Sequence, residues 1–142
     1  MEEEIRKAAT RFRDAIVAHK GEISLISFQE FPLGACGDAS LLLARYLHEA
    51  GMGDWEYVNG WKDGRAHAWL QQGDLIVDIT ADQFVESKRP VIVTENNEWH
   101  GQFQVQRRRP VDYRFRFESN HEEFETAYRT ILKSLPKLEA GS

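Results

Sequence analysis

Residues 65–84 read R-A-H-A-W-L-Q-Q-G-D-L-I-V-D-I-T-A-D-Q-F, and this stretch limits the possible folds most tightly. Two short apolar runs, Ala66 to Leu70 and Leu75 to Ile79, flank the polar, glycine-bearing link Gln71-Gln72-Gly73-Asp74. That pattern predicts two antiparallel strands joined by a tight turn. Side chains alternate with period two along a strand, so the hairpin also fixes which residues share a face. A turn centred on Gln72-Gly73 sets His67 directly opposite Asp78; one centred on Gly73-Asp74 sets His67 opposite Thr80, with Asp78 as its diagonal neighbour. Both registers put the imidazole and the carboxylate on the same face, and opposed Cβ atoms lie about 4.5–5.5 Å apart.

The 142-residue length fits one domain with a sizeable core, spanning 1–142 with 136–142 as a tail. A net charge of −5 does not suggest a nucleic-acid binder. The run Arg107-Arg108-Arg109 is a local exception, read as a solvated face. No apolar run approaches the roughly 18 residues of a membrane span. The acidic start Met1-Glu2-Glu3-Glu4 is unlike a signal peptide, so a cytoplasmic protein is expected, with a delivered effector as the alternative. A single cysteine forbids an intrachain disulfide and a multi-cysteine zinc site.

Hydrophobic spacing predicts a helix over residues 3–20 and a second from near Cys36 to Gly51, apolar nearly all round and hence central. Strands are expected at 55–61, in the hairpin, at 91–94, at 103–106 and at 111–117. A last helix is expected over 120–135, with Asn120 as N-cap. The fold class is α+β with a mostly antiparallel sheet.

A cysteine at a helix start meets unsatisfied N–H groups and the positive end of the dipole, both of which favour the thiolate. Gly34 and Gly37 flank Cys36 and leave its backbone approachable, and the Cys36 N–H is a possible oxyanion donor. Cys36, His67 and Asp78 are thus candidates for nucleophile, base and orienter of covalent acyl transfer. Each also has a plain structural reading: a small core thiol, and a histidine satisfied by a carboxylate.

The segments G-A-C-G-D-A-S-L-L-L-A-R-Y-L, H-A-W-L and V-D-I-T-A-D-Q-F together resemble the transglutaminase-like and papain-like cysteine superfamily over about residues 30–84. The resemblance implies a nucleophilic cysteine opening a central helix packed on an antiparallel sheet. It places Cys36 as nucleophile, His67 as general base and acid, and Asp78 as orienter. Ile79 departs from the proline common at that point, away from the chemistry. Papain-like members use a glutamine shortly before the cysteine as oxyanion donor, which marks Gln29, seven residues before Cys36. Trp69, on the face of His67, is a candidate for substrate contact or for keeping the site dry, and equally for plain core packing.

The implied function is thiol-dependent acyl transfer from an amide or a glutamine side chain, as peptidase, amidase or deamidase. The alternatives are an amine acceptor, as in a transglutaminase, or a non-catalytic binding module on the same fold. A protein or peptide substrate is expected, and no cofactor, metal, nucleic acid or membrane partner. His19, His48, His100 and His121 are expected to be solvated, Ser40 to pack inside its helix, and Asp82 and Gln83 to open a turn after the hairpin.

Overall fold

A computed structural model describes residues 1–137. Its elements are α1 (Glu2–His19), α2 (Cys36–Glu49), β1 (Glu56–Lys62), β2 (Arg65–Gln72), β3 (Leu75–Asp78), β4 (Ile92–Thr94), β5 (Gln104–Pro110) and α3 (His121–Leu132). The strands form one antiparallel sheet in the order β4-β3-β2-β1-β5. The α+β class is as the sequence predicts. The tail expected at 136–142 falls mostly outside the described residues. No described helix is long and apolar enough to cross a membrane.

Helix α2 is the centre of the packing. Ala39, Leu42, Leu43, Ala44 and Leu47 are almost wholly enclosed. Each buried leucine contributes about 1.5–3 kcal/mol relative to exposure. They meet α1 through Phe12 and Ile16, α3 through Phe124 and Ile131, and the sheet through Leu70 and Val77 in one continuous core. The helix ends where Gly51 takes φ 78° and its N–H donates to His48 O at 3.1 Å. A glycine suits this left-handed position because it carries no Cβ. Ser40 lies inside the helix, its hydroxyl bonded to Cys36 O at 2.6 Å.

The other face of the sheet carries a second, smaller cluster of Val58, Trp69, Ile76, Phe84 and Phe103. Alternation produces the split: Leu70 and Val77 point to α2, while Trp69 and Ile76 point away.

The last part of the sheet differs from the sequence expectation. The strand expected at 103–106 continues through the arginines as β5, which lies at the sheet edge. Arg108 pairs with Glu56 at 2.8 Å, and Arg109 approaches Glu118 at 3.6 Å. Charge on an edge strand opposes pairing with other chains. Residues 111–117 are not a strand. Asp112 accepts the Arg114 and Arg116 N–H groups at 3.2 and 2.7 Å, and Phe115 sits at φ 55°. These side-chain-closed turns bury Val111 and Phe115 without a ladder and leave Phe117 exposed. Asn120 does occupy the N-cap of α3, but its side chain makes no cap hydrogen bond.

Candidate active site

The hairpin closes with Gln72 opposite Leu75 and Leu70 opposite Val77, the register centred on Gly73-Asp74. Asp78 is therefore the diagonal neighbour of His67, and the side chains close the gap: His67 Nε2 lies 2.7 Å from Asp78 Oδ2. Both residues are 1% exposed. A third buried residue joins them. His100 Nε2 lies 2.7 Å from the same Asp78 Oδ2, and the Thr80 N–H donates to Oδ1 at 3.0 Å. The carboxylate thus accepts three hydrogen bonds in a place water does not reach.

Burial raises the pKa of Asp78, but the charge of His67 and the hydrogen bonds from His100 and His67 outweigh it, so the carboxyl sits well below its usual range. For His67, burial disfavours the imidazolium. The charge and hydrogen bond of Asp78, and then the nearby Cys36 sulfur, reverse this and push the pKa up to about 9. The balance favours the imidazolium.

Cys36 is the first residue of α2 and only partly buried. With His67 Nε2 taken by Asp78, Nδ1 is the ring nitrogen that remains. The Gln83 carboxamide nitrogen lies 2.9 Å from this same Nδ1 and donates to it when the ring is neutral. When the ring is charged, a turned carboxamide accepts instead through its oxygen. Gln83 ends the short 3-10 turn Ala81–Gln83, the turn expected after the hairpin. Arg13 of α1 fixes that turn: it grips Asp82 through both carboxylate oxygens at 2.8 Å and donates to Ile79 O at 2.6 Å and Pro90 O at 3.1 Å.

Aromatic rings wall the imidazole. Phe84, Trp99 and Phe103 have centroids 5.0, 5.8 and 5.8 Å from that of His67. Trp69 lies at 5.9 Å, is 2% exposed and donates through Nε1 to Gln71 at 3.1 Å. Its enclosure in this cluster fits core packing as well as a dry surround for the imidazole. Gln29 needs a correction. Its Nε2 donates to Ile23 O and Leu25 O at 3.0 and 3.1 Å, so both amide protons brace the preceding loop and none is left for an oxyanion.

His100 is the functional group that sequence reasoning misses. It was expected to be solvated and is 3% exposed. Its only sequence signal is the apolar company of Trp99 and Phe103 in an otherwise polar loop. His19 and His48 are engaged near the surface, with Glu22 and Ser134 and with Asp54 respectively, and His121 is exposed.

Among the described residues, His67, Asp78 and His100 are the group whose ligand atoms lie close enough together for a metal ion, within 4.8 Å of one another. Tetrahedral metal–ligand bonds of about 2.0–2.1 Å set ligand atoms roughly 3.3 Å apart. Both contacts to Asp78 are 2.7 Å, the separation of a charge-assisted hydrogen bond. The spacing suits shared protons. Comparison with protein-family models, with curated proteins and with solved structures returns no match to this chain.

Proposed function

We propose that the chain is a thiol-dependent acyl-transfer enzyme acting on amide bonds or glutamine side chains, in the manner of the transglutaminase-like and papain-like superfamily. The observation that carries this reading is the buried Asp78–His67 pair, whose imidazole feels the Cys36 sulfur at the opening of α2.

The Cys36 thiolate attacks the carbonyl carbon, and the π pair moves to the oxygen. As the tetrahedral adduct collapses, the His67 imidazolium gives its proton to the departing amine or ammonia. A thioester remains. Water then attacks it, His67 takes the water's proton, and the carboxylic acid leaves as the thiol reforms. Asp78 stays ionised throughout, holding the imidazole tautomer that turns Nδ1 to the sulfur. His100 acts one step further out. By donating to Asp78 Oδ2 it fixes the carboxylate against rotation. A protein or peptide substrate, with water as acceptor, suits a chain of this size.

The test is the pH dependence of Cys36 alkylation by iodoacetamide in the native protein and in His67→Ala. A thiolate–imidazolium pair reacts readily near pH 6, and the variant then needs a pH above about 8, near an ordinary thiol. Profiles that coincide would sink the proposal. His67→Gln, which retains a polar side chain, guards against a folding defect in the alanine variant.

A further inference from the structure

We propose that Tyr57 is a further catalytic residue: its hydroxyl, lying over the first turn of α2 beside Cys36, donates to the oxyanion formed when a carbonyl is attacked. The inference rests on the acyl-transfer reading above and names a donor that Gln29 does not supply.

Tyr57 is the second residue of β1 and packs against the α2 core. Its hydroxyl comes so low over the helix that a Cβ at Gly37 would stand 3.0 Å from Oη and 4.0 Å from Cζ. The glycine after the cysteine therefore makes room for a phenol. Two other tyrosines have their hydroxyls engaged: Tyr113 Oη accepts the Trp55 N–H at 2.6 Å, and Tyr128 Oη donates to Glu49. The Tyr57 hydroxyl makes no hydrogen bond among the described residues.

The helix start beneath it is also open. The N-cap is Ala35, which offers no side-chain acceptor, and no side-chain cap bond is made. The Ala39 N–H reaches Ala35 O at 2.9 Å, so the N–H groups of Cys36, Gly37 and Asp38 lack intrahelical acceptors. An oxyanion formed on a carbon bonded to Cys36 Sγ is met by this backbone and by the phenol together. The phenol is suited to donate. Burial, then the negative charge at Cys36, pushes its pKa up to about 12, so it stays protonated across the neutral range. The Arg109 guanidinium lies 5.0 Å over the ring, and its charge works in the opposite sense, strengthening the donor. During attack the carbon–sulfur bond forms, the π pair becomes the oxyanion, and Tyr57 donates a hydrogen bond without losing its proton. On collapse the pair returns and the leaving group takes its proton from His67.

The experiment compares two reactions of one sulfur. Alkylation by iodoacetamide is a displacement at saturated carbon and forms no oxyanion. Acylation by p-nitrophenyl acetate forms one. In Tyr57→Phe, first-turnover release of p-nitrophenolate is expected to fall about 10- to 100-fold, while alkylation stays within about twofold. Losing one oxyanion donor costs about 10²–10³ in demanding reactions, and an activated ester needs less help. Gly37→Ala, which displaces the hydroxyl but keeps a good helix former, is expected to show the same split and serves if Tyr57→Phe is unstable. Equal acylation in native and variant proteins overturns the role of Tyr57 and leaves the triad reading standing. Equal loss in both reactions makes Tyr57 a packing residue. A native protein acylated no faster than free cysteine overturns both.

Discussion

The two faces of the sheet are made of different materials. Toward α2 the sheet presents aliphatic side chains, Leu70, Val77, Ile79 and Val93, to a core shared with α1 and α3. Away from α2 they present Trp69, Phe84 and Phe103, and these rings enclose His67, Asp78 and His100. The first face draws its stability from area, which many residues share. The second draws its order from a few short hydrogen bonds among groups that pay a high desolvation cost unless every partner is present. The difference teaches that damage on the α2 face is a matter of how much protein is folded. Damage on the aromatic face also changes the ionisation and hydrogen bonding of the buried histidines.

Asp78→Ala is the strongest way to break that contrast. It leaves His67 and His100 buried without their acceptor and is expected to destabilise by about 3–5 kcal/mol. It also abolishes the raised pKa of His67, so the alkylation profile of the folded fraction moves toward that of an ordinary thiol. Chemical denaturation and alkylation, run side by side, check both. Leu42→Ala, at a wholly enclosed site on α2, is expected to cost about 2–5 kcal/mol and leave the alkylation profile of the folded protein unchanged. A shift in that profile would show that the two faces are coupled.

His100→Leu removes one hydrogen bond to a charged group, worth about 1.5–3 kcal/mol. Its larger mark is expected in the pH profile, and His100→Gln, which can still donate, is expected to restore part of it. The His67 pKa is raised when folded, so its contribution is full below about 6.5 and fades as pH rises through about 9. The unfolding midpoint of the native protein is expected to fall across that window, with a smaller fall in His67→Gln. Arg108→Ala, an exposed pair on the edge strand, is expected to change stability by less than about 1 kcal/mol; reduced solubility would be its main effect.

Much of this arrangement is legible in the chain. The shared face of His67 and Asp78 follows from period-two alternation and holds in either register, and the start of α2 at Cys36 follows from its apolar run. The choice between the two hairpin registers does not follow, because Gln72-Gly73 and Gly73-Asp74 are both acceptable turn centres. His100 is hidden for a different reason. It reaches Asp78 across 22 residues of chain by way of an irregular loop, and no local period announces such a contact. Residues 111–117 mislead because their apolar residues alternate in sequence, whereas turns closed by Asp112 bury Val111 and Phe115 and leave Phe117 exposed. Gln29 misleads because its sequence position carries no information about which carbonyls take its protons.

Arg13 has a consequence for the order of events during folding. Its guanidinium binds Ile79, Asp82 and Pro90, residues 66 to 77 positions further along. His100 lies beyond all of them. Contacts this distant in sequence close late, after the loops between them have lost their freedom. As the chain emerges from a ribosome, Cys36 is exposed well before Asp78 and His100 are present to close the buried cluster around His67. On the proposed function, reactivity of the thiol beyond that of an ordinary cysteine therefore arises only once the last strands have docked.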